Sequence, residues 1–422
     1  MTHIAATPNP EGGLAAGAAT GAMSSQSWPW KVCIFLLAAT LLSYLDRQAL
    51  SVVAPVVSKE LNLDNAQLGL LLSAFFYTYS LMHIFAGWIL DRFNIRITYG
   101  LFVALWSLAQ MACGIATGFT GLFTARLFLG AFEAAGQTGA ARIIARILPK
   151  KDRAFANGIM MSGGSLGAAI APVLMIWLAN TAGWRTGFAA LGVVGIVWAA
   201  LWIAWFRPPA HVLYGPRGEG SRVEADKWST IFRNPQFWSC IAGAAFTVPI
   251  IHISSAWVPT YFVQEWKLPL GAALSGYLFV IYIGLDLGFI GGGALVRFFT
   301  RGTRTVAGAR KLVLLISAVS MLSAAAVPLA RSAPLAVACV FLLNMGRASW
   351  GAIFLSFNQD ISPGRVGTIA GVMGCIGAFS GALLVWAVGV ISRSAGFDIP
   401  FLIIGVLAAL GTIPLMLTKW EE

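Results

Sequence analysis

Long apolar stretches recur from one end of this 422-residue chain to the other, and no other feature limits its fold so strongly. A bilayer's hydrocarbon core, about 30 Å thick, takes roughly 20 apolar residues to cross as a helix. Only 10% of the residues are charged while 58% are hydrophobic, whereas an ordinary soluble domain carries about 25% charged residues. Without water to satisfy the backbone, only helices and closed barrels can span lipid. The runs here are continuous and do not alternate in short strands, so the sequence predicts an all-α membrane protein.

Charged or Pro/Gly-marked breaks divide the chain into twelve predicted spans, near 31–54, 67–90, 97–116, 121–146, 155–180, 184–206, 236–262, 271–297, 311–329, 333–357, 366–392 and 397–418. The most polar internal stretch, residues 207–235, separates the first six from the last six. The expected organisation is a tail over 1–30, a six-helix bundle over 31–206, a linker over 207–235, a second six-helix bundle over 236–418 and a short tail over 419–422. Residues 1–30 contain no Lys or Arg and lack the basic start of a signal peptide, so a disordered cytoplasmic tail is expected there.

The net charge of +12 could indicate nucleic-acid binding, but its placement excludes that reading. With the N-terminus cytoplasmic, the inner loops hold 20 Lys and Arg residues and the outer loops 5. That bias puts both termini in the cytoplasm of a multi-pass protein of the cell's inner membrane. The five cysteines stand singly in apolar runs and read as small core residues with no disulfide framework or metal site. "GGSLG" (163–167) fits a hydrolase elbow, but it has no strand before it and no matching triad, so no enzyme is expected. No nucleotide-binding loop or dinucleotide fingerprint is present, and many of the 46 glycines are spaced for close helix packing.

Two stretches carry a family resemblance. "GWILDRFNIR" (87–96) resembles the loop signature of the major facilitator superfamily, with Gly87, Asp91, Arg92 and Arg96 in place. Asn94 stands where that signature usually has Gly, and as the next-best residue for a left-handed turn it is expected to preserve one. "SYLDRQALSVVAPVV" (43–57) and "ARLFLGAFEAAGQTGA" (125–140) are similar to the anion:cation symporter branch, which includes bacterial galactonate, hexuronate and glucarate importers. The resemblance implies twelve transmembrane helices in two six-helix bundles, a monomeric secondary transporter, a small organic anion as substrate, protons as coupling ion and no other cofactor. Small residues followed by a basic turn end both the second and the eighth spans, an echo that fits a duplicated unit.

Charged side chains inside the membrane cost at least about 2.5–3.5 kcal/mol on insertion scales and are functional candidates by default. In the N-terminal half these are Asp46, Arg47, Arg126 and Glu133. Arg126 and Glu133 lie two turns apart on one helical face, while the adjacent Asp46 and Arg47 point about 100° apart. That geometry lets Arg47 offer its forked donors to a substrate carboxylate and turns Asp46 toward Arg126 or a wet cavity. A carboxylate's hold on its proton depends on water and on a neighbouring Arg, so movement of either can change it. By resemblance, Asp46 and Glu133 are expected to couple protons, Arg47 to bind the anion and Arg126 to tune the acids. The plainer alternative is a static buried ion network.

The resemblance further implies hydroxyls from Tyr44 and Tyr79 at the substrate, and it puts His83 where relatives often carry Gln. His83 could equally be a satisfied core histidine. In the C-terminal half, Asp286 and Arg347 are the intramembrane ions, with His252 and Asn344 as polar companions. Asp286 either pairs with Arg347 or binds substrate. Gly374 and Ala378 replace asparagines of the galactonate carriers, which favours a cyclic uronate or a less hydroxylated acid over a long aldonate. The expected activity is proton-coupled import of a sugar acid, hexuronate or aldonate/aldarate. Import of an aromatic or other carboxylic acid and proton-driven export stay open.

Overall fold

The computed structural model describes residues 27–208, 212–213, 228–301, 305–361 and 366–420, without the side chains of Ile84, Asp91, 150–155, Trp228, Gln359 and 366–368. The expected disordered tail, apart from its last few residues, and most of the linker lie outside the described residues.

The N-terminal half contains α1 (Trp28–Glu60), α2 (Asn65–Arg92), α3 (Ile95–Ile115), α4 (Phe119–Glu133), α5 (Ala135–Ile147), α6 (Lys150–Thr181) and α7 (Trp184–Trp205). After α8 (Trp228–Arg233), the C-terminal half contains α9 (Pro235–Ala242), a π-helical turn (Gly243–Thr247) and α10 (Val248–Gln264), then α11 (Ala272–Thr300) and α12 (Val306–Met321), which runs into a 3-10 segment (Leu322–Leu329). It closes with α13 (Ala333–Asp360), α14 (Val366–Ala395) and α15 (Asp398–Leu417). Among the described residues these elements make twelve helical rods, six in each half, besides the short α8. α4 and α5 together make the fourth rod, broken at Ala134, and the seventh passes through its π turn without interruption. The rods outrun their apolar cores: α1 extends to Glu60, well past the apolar limit near 54.

Local chemistry sets several ends. Asp64 caps α2 by accepting from Gln67 N at 2.8 Å, while Gln67 accepts from Asp64 N at 3.1 Å, a reciprocal box. Asn94 does not form a left-handed turn. Its φ is −59°, and its side chain accepts from Arg96 N at 3.1 Å to cap α3. A short polar side chain that can satisfy an orphan amide does more for this helix start than a positive φ would.

The halves meet where α2 lies along α14, α1 against α10 and α6 against α11. One end of this boundary is clasped, the end away from the chain termini. Asn65 and Gln264 exchange hydrogen bonds at 3.2 and 3.1 Å, Asn180 donates to Leu270 O at 2.8 Å, and Arg393 pairs with Asp64 at 3.2 Å. One turn further in, a Cβ on Gly389 would stand 2.9 Å from the α-carbon of Gly69. Only glycines at both positions allow that approach.

Candidate functional site

α1 and α4 bring the N-terminal charges together. Asp46, Arg126 and Glu133 are each 1% exposed. Ser43 and Arg47, one turn apart on α1, both reach Glu133: Ser43 Oγ donates to Oε1 at 2.8 Å, and Arg47 donates to the same oxygen from Nη2 at 2.6 Å and Nε at 3.2 Å. The sequence reading did not bring these two together: Arg47, expected to face the anion, holds Glu133 in this conformation. Asp46 and Arg126 act on each other electrostatically but form no ion pair. The physical reason is axial: 126 and 133 share a face but stand about 10 Å apart along α4, and Arg47 lies level with the latter.

Several buried polar atoms of this group have no hydrogen-bond partner among the described residues: Asp46 Oδ1, Glu133 Oε2, and Nε and Nη1 of Arg126. Sealed polar atoms of this kind are uncommon in folded proteins and call for ligand, proton or water as partner. The free Glu133 oxygen can take a proton without breaking the bonds to its other oxygen.

Aromatic rings line the cations. The Arg47 guanidinium carbon lies 4.8 Å from the Tyr44 ring centre, 4.9 Å from Phe75 and 4.8 Å from Tyr79, and that of Arg126 lies 5.3 Å from Phe75. Such contacts hold a guanidinium without neutralising it. Tyr44 OH accepts from Gln137 Nε2 at 3.2 Å. His83 meets Tyr79 edge-on at 4.5 Å between centroids, one turn along α2.

A cavity of about 90 Å³ lies where α1, α2, α4 and α10 converge, with Arg47, Arg126, Gln48 and Ser51 from one half and His252 and Ser255 from the other. It is smaller than the about 300–1,000 Å³ of fully formed small-molecule sites. His252, whose ring packs 4.3 Å from Phe76 across the boundary, is a site residue that sequence reading passed over as a polar neighbour. Phe75 was missed as well; its one signal was the one-turn spacing to Tyr79.

In the C-terminal half, Arg347 is buried and its Nε donates to Thr247 O, at the end of the π turn, at 2.9 Å. Asn344 is engaged in packing: its Oδ1 accepts from Ser254 at 2.9 Å and its Nδ2 reaches Ile281 O at 3.5 Å. Asp286 is half-buried among exposed Leu287, Phe289 and Ile290, and among the described residues no ion pair joins it to Arg347. It does not line the cavity. A Cβ on Gly374 would meet nothing within 4 Å, so a longer polar side chain is absent where space exists for one.

The loop motif works within one half. A Cβ on Gly87 would stand 2.9 Å from Nη2 of Arg142. Arg92 lies over Trp88 at 5.5 Å, and Arg96 Nε donates to Ile203 O at 2.9 Å, tying α3 to α7. The Asp91 side chain lies outside the described residues.

The model of the Major Facilitator Superfamily matches residues 36–385. The chain is similar to the hexuronate transporter of Escherichia coli K12, 26% identical over 400 residues that cover 91% of this chain and 92% of that protein. It is 29% identical over 392 residues to a probable sulfoacetate transporter of Cupriavidus necator, covering 88% and 89%. Among solved structures, a bacterial homologue of the human lysosomal transporter Spinster, inward-facing and unoccupied, shares the fold at a TM-score of 0.71, with 23% identity over 93% of each chain.

Proposed function

This chain belongs to the major facilitator superfamily and is a multi-pass membrane transporter, not an enzyme; from that premise we propose that it imports a small organic acid by proton symport. The observation that carries this reading is the Arg47–Glu133 pair beside a cavity that also presents Arg126. An incoming carboxylate competes with Glu133 for Arg47. Once displaced, Glu133 is a buried carboxylate that has lost its paired guanidinium, and protonation relieves it. Anion and proton therefore enter together. Asp46, buried behind the same arginines, is the second acid that can take a proton. Tyr44, Tyr79 and His83 stand around Arg47 as candidates for substrate hydroxyls.

The substrate class is sugar acids, a reading supported by relatives named as hexuronate and D-galactonate transporters; the relative named a probable sulfoacetate transporter supports only the wider class of small organic acids. With the termini cytoplasmic, the orientation that the loop charges support, the clasped end faces outward and the cavity is reached from the inside. Alternating access then proceeds by rocking of the two halves about the site, with the chain acting as a monomer and no cofactor besides the proton. The test is uptake of labelled galacturonate into proteoliposomes, with and without an inward proton gradient and with ionophore. Accumulation should follow the gradient and collapse with ionophore; uptake indifferent to both rules out symport.

A further inference from the structure

We propose that a sealed cluster of polar atoms behind the cavity binds water between Asp46 and Arg126, and that Gln110 holds this water in place. The role of the water rests on the proton-symport reading above and deepens it; the site itself does not depend on that reading.

Six buried polar atoms without a hydrogen-bond partner among the described residues belong to four side chains: Asp46 Oδ1, Trp106 Nε1, Gln110 Oε1 and Nε2, and Arg126 Nε and Nη1. All four residues are at most 1% exposed. Folded interiors seldom leave such atoms unsatisfied, least of all in a group.

Helix geometry brings the four together. α3 packs between α7 and the fourth rod. Toward α7 it turns Ser107 and Met111, which lie against Gly195 and Gly192. Trp106 and Gln110, one turn apart, sit about 100° round the helix from those contacts. Their face looks at the fourth rod: Tyr99 lies against Gly139, and a Cβ on Gly136 would stand 3.7 Å from Trp106 Cζ3. Since 99 meets 139 and 106 meets 136, the two run antiparallel, and Gln110 faces the stretch of α4 that holds Glu133 and Arg126. Asp46 enters from α1. The Trp106 indole is turned toward it but completes no hydrogen bond.

The atoms select their ligand. Four are nitrogens that donate and two are oxygens that accept. Groups so complementary bond directly wherever their geometry allows. None of the six does, and water is what closes a polar contact too long for a direct bond. A cation would meet the guanidinium of Arg126, and an anion the carboxylate of Asp46. Water both gives and accepts, and a buried water takes typically about three such bonds.

Arg126 joins this cluster to the cavity, which it also lines; Asp46, Trp106 and Gln110 do not line it. The water donates to Asp46 Oδ1 and accepts from Arg126, tying the ionised acid to a guanidinium with which it forms no ion pair. A substrate carboxylate that draws Arg126 toward the cavity breaks this tie, and Asp46 then takes a proton on Oδ1. Without the water, Asp46 no longer answers to Arg126, and the anion crosses without that proton. Gln110 acts only by positioning the water.

The first test is a crystal structure of the full chain at a resolution that shows ordered waters elsewhere in it. A water peak is expected within hydrogen-bond distance of Asp46 Oδ1 and of at least two of the other five atoms. The same atoms bonded directly to one another, with no peak, overturn the site. The second test is Gln110→Leu in proteoliposomes, which keeps the side chain's bulk and removes its amide. Accumulation of labelled galacturonate under a proton gradient should fall about tenfold or more, the loss expected of a hydrogen bond to a charged group. Counterflow, which needs no net proton movement, should stay near wild type. Gln110→Asn, which keeps the amide, should retain most of the accumulation. Trp106→Phe, which removes only Nε1, should show the same selective loss and replaces the Leu variant if that fails to fold. Equal loss in both assays makes Gln110 a packing residue, and unchanged accumulation frees the water from coupling; either overturns the proposal. If wild type moves no galacturonate, the sugar-acid reading falls, and the density alone decides the water site.

Discussion

Arg47 gives both of its hydrogen bonds to one oxygen of Glu133, Oε1, and leaves Oε2 buried without a partner. One carboxylate therefore has a structural oxygen and a chemical one. Glu133→Gln keeps an oxygen acceptor for Ser43 and Arg47 but cannot release a proton. The variant is expected to exchange bound anion in counterflow at near wild-type rates while losing accumulation driven by a proton gradient. Normal accumulation by Glu133→Gln would remove the residue from coupling.

Arg47→Lys tests the other partner. A lysine keeps the charge but cannot reach Oε1 with two donors or stack as a plane among Tyr44, Phe75 and Tyr79. Substrate affinity is expected to fall about 10- to 100-fold, read as the half-saturating concentration in uptake. An unchanged value would mean that the anion docks on Arg126 alone.

Phe75 separates the aromatic support from the charges. Phe75→Leu preserves apolar volume but removes the ring that both Arg47 and Arg126 lie against. Two contacts of about 0.5–2 kcal/mol each are lost. A lower thermal midpoint and weaker substrate protection are expected, with Arg126 the freer of the two because Arg47 retains Glu133. Wild-type melting with and without substrate would show that the ring only fills space.

Asp64 has two roles at the clasped end, since it caps α2 and pairs with Arg393. Asp64→Asn retains the cap and loses the ion pair, worth about 0.2–1 kcal/mol on an exposed surface. Asp64→Ala loses both, with a further cost of about 0.5–2 kcal/mol for the cap. The two variants should therefore differ in melting temperature while sharing the same small shift toward opening of this end, measured by labelling of a cysteine placed in the boundary. Identical melting would mean that the cap contributes nothing.

The helical rods were legible because lipid leaves the backbone so few choices, and that constraint is written in composition. What the sequence hid depends on how rods rotate and meet. Spacing showed that Arg126 and Glu133 share a face of the fourth span, but not which of them stands level with Arg47. Spacing therefore left Asp46 facing Arg126 or a wet cavity and did not indicate the Arg47–Glu133 pair. His252 reaches the cavity only because α10 packs against α1, a fact that no stretch of local sequence contains. Asn94 was identified as a turn former for the right reason, a short polar side chain, yet it uses that side chain as a cap. The break at Ala134, directly after Glu133, left no mark in a run of small residues that reads as continuous helix.

The approach of Gly69 to Gly389 has a consequence for how often the two halves can part. Side chains that interlock must find their rotamers again each time a surface re-forms, and that ordering costs free energy and time. Two bare α-carbons have nothing to reorder. At this one point the seam has no rotamers to restore, in contrast to the Asn65–Gln264 pair one turn away, whose hydrogen bonds must be remade.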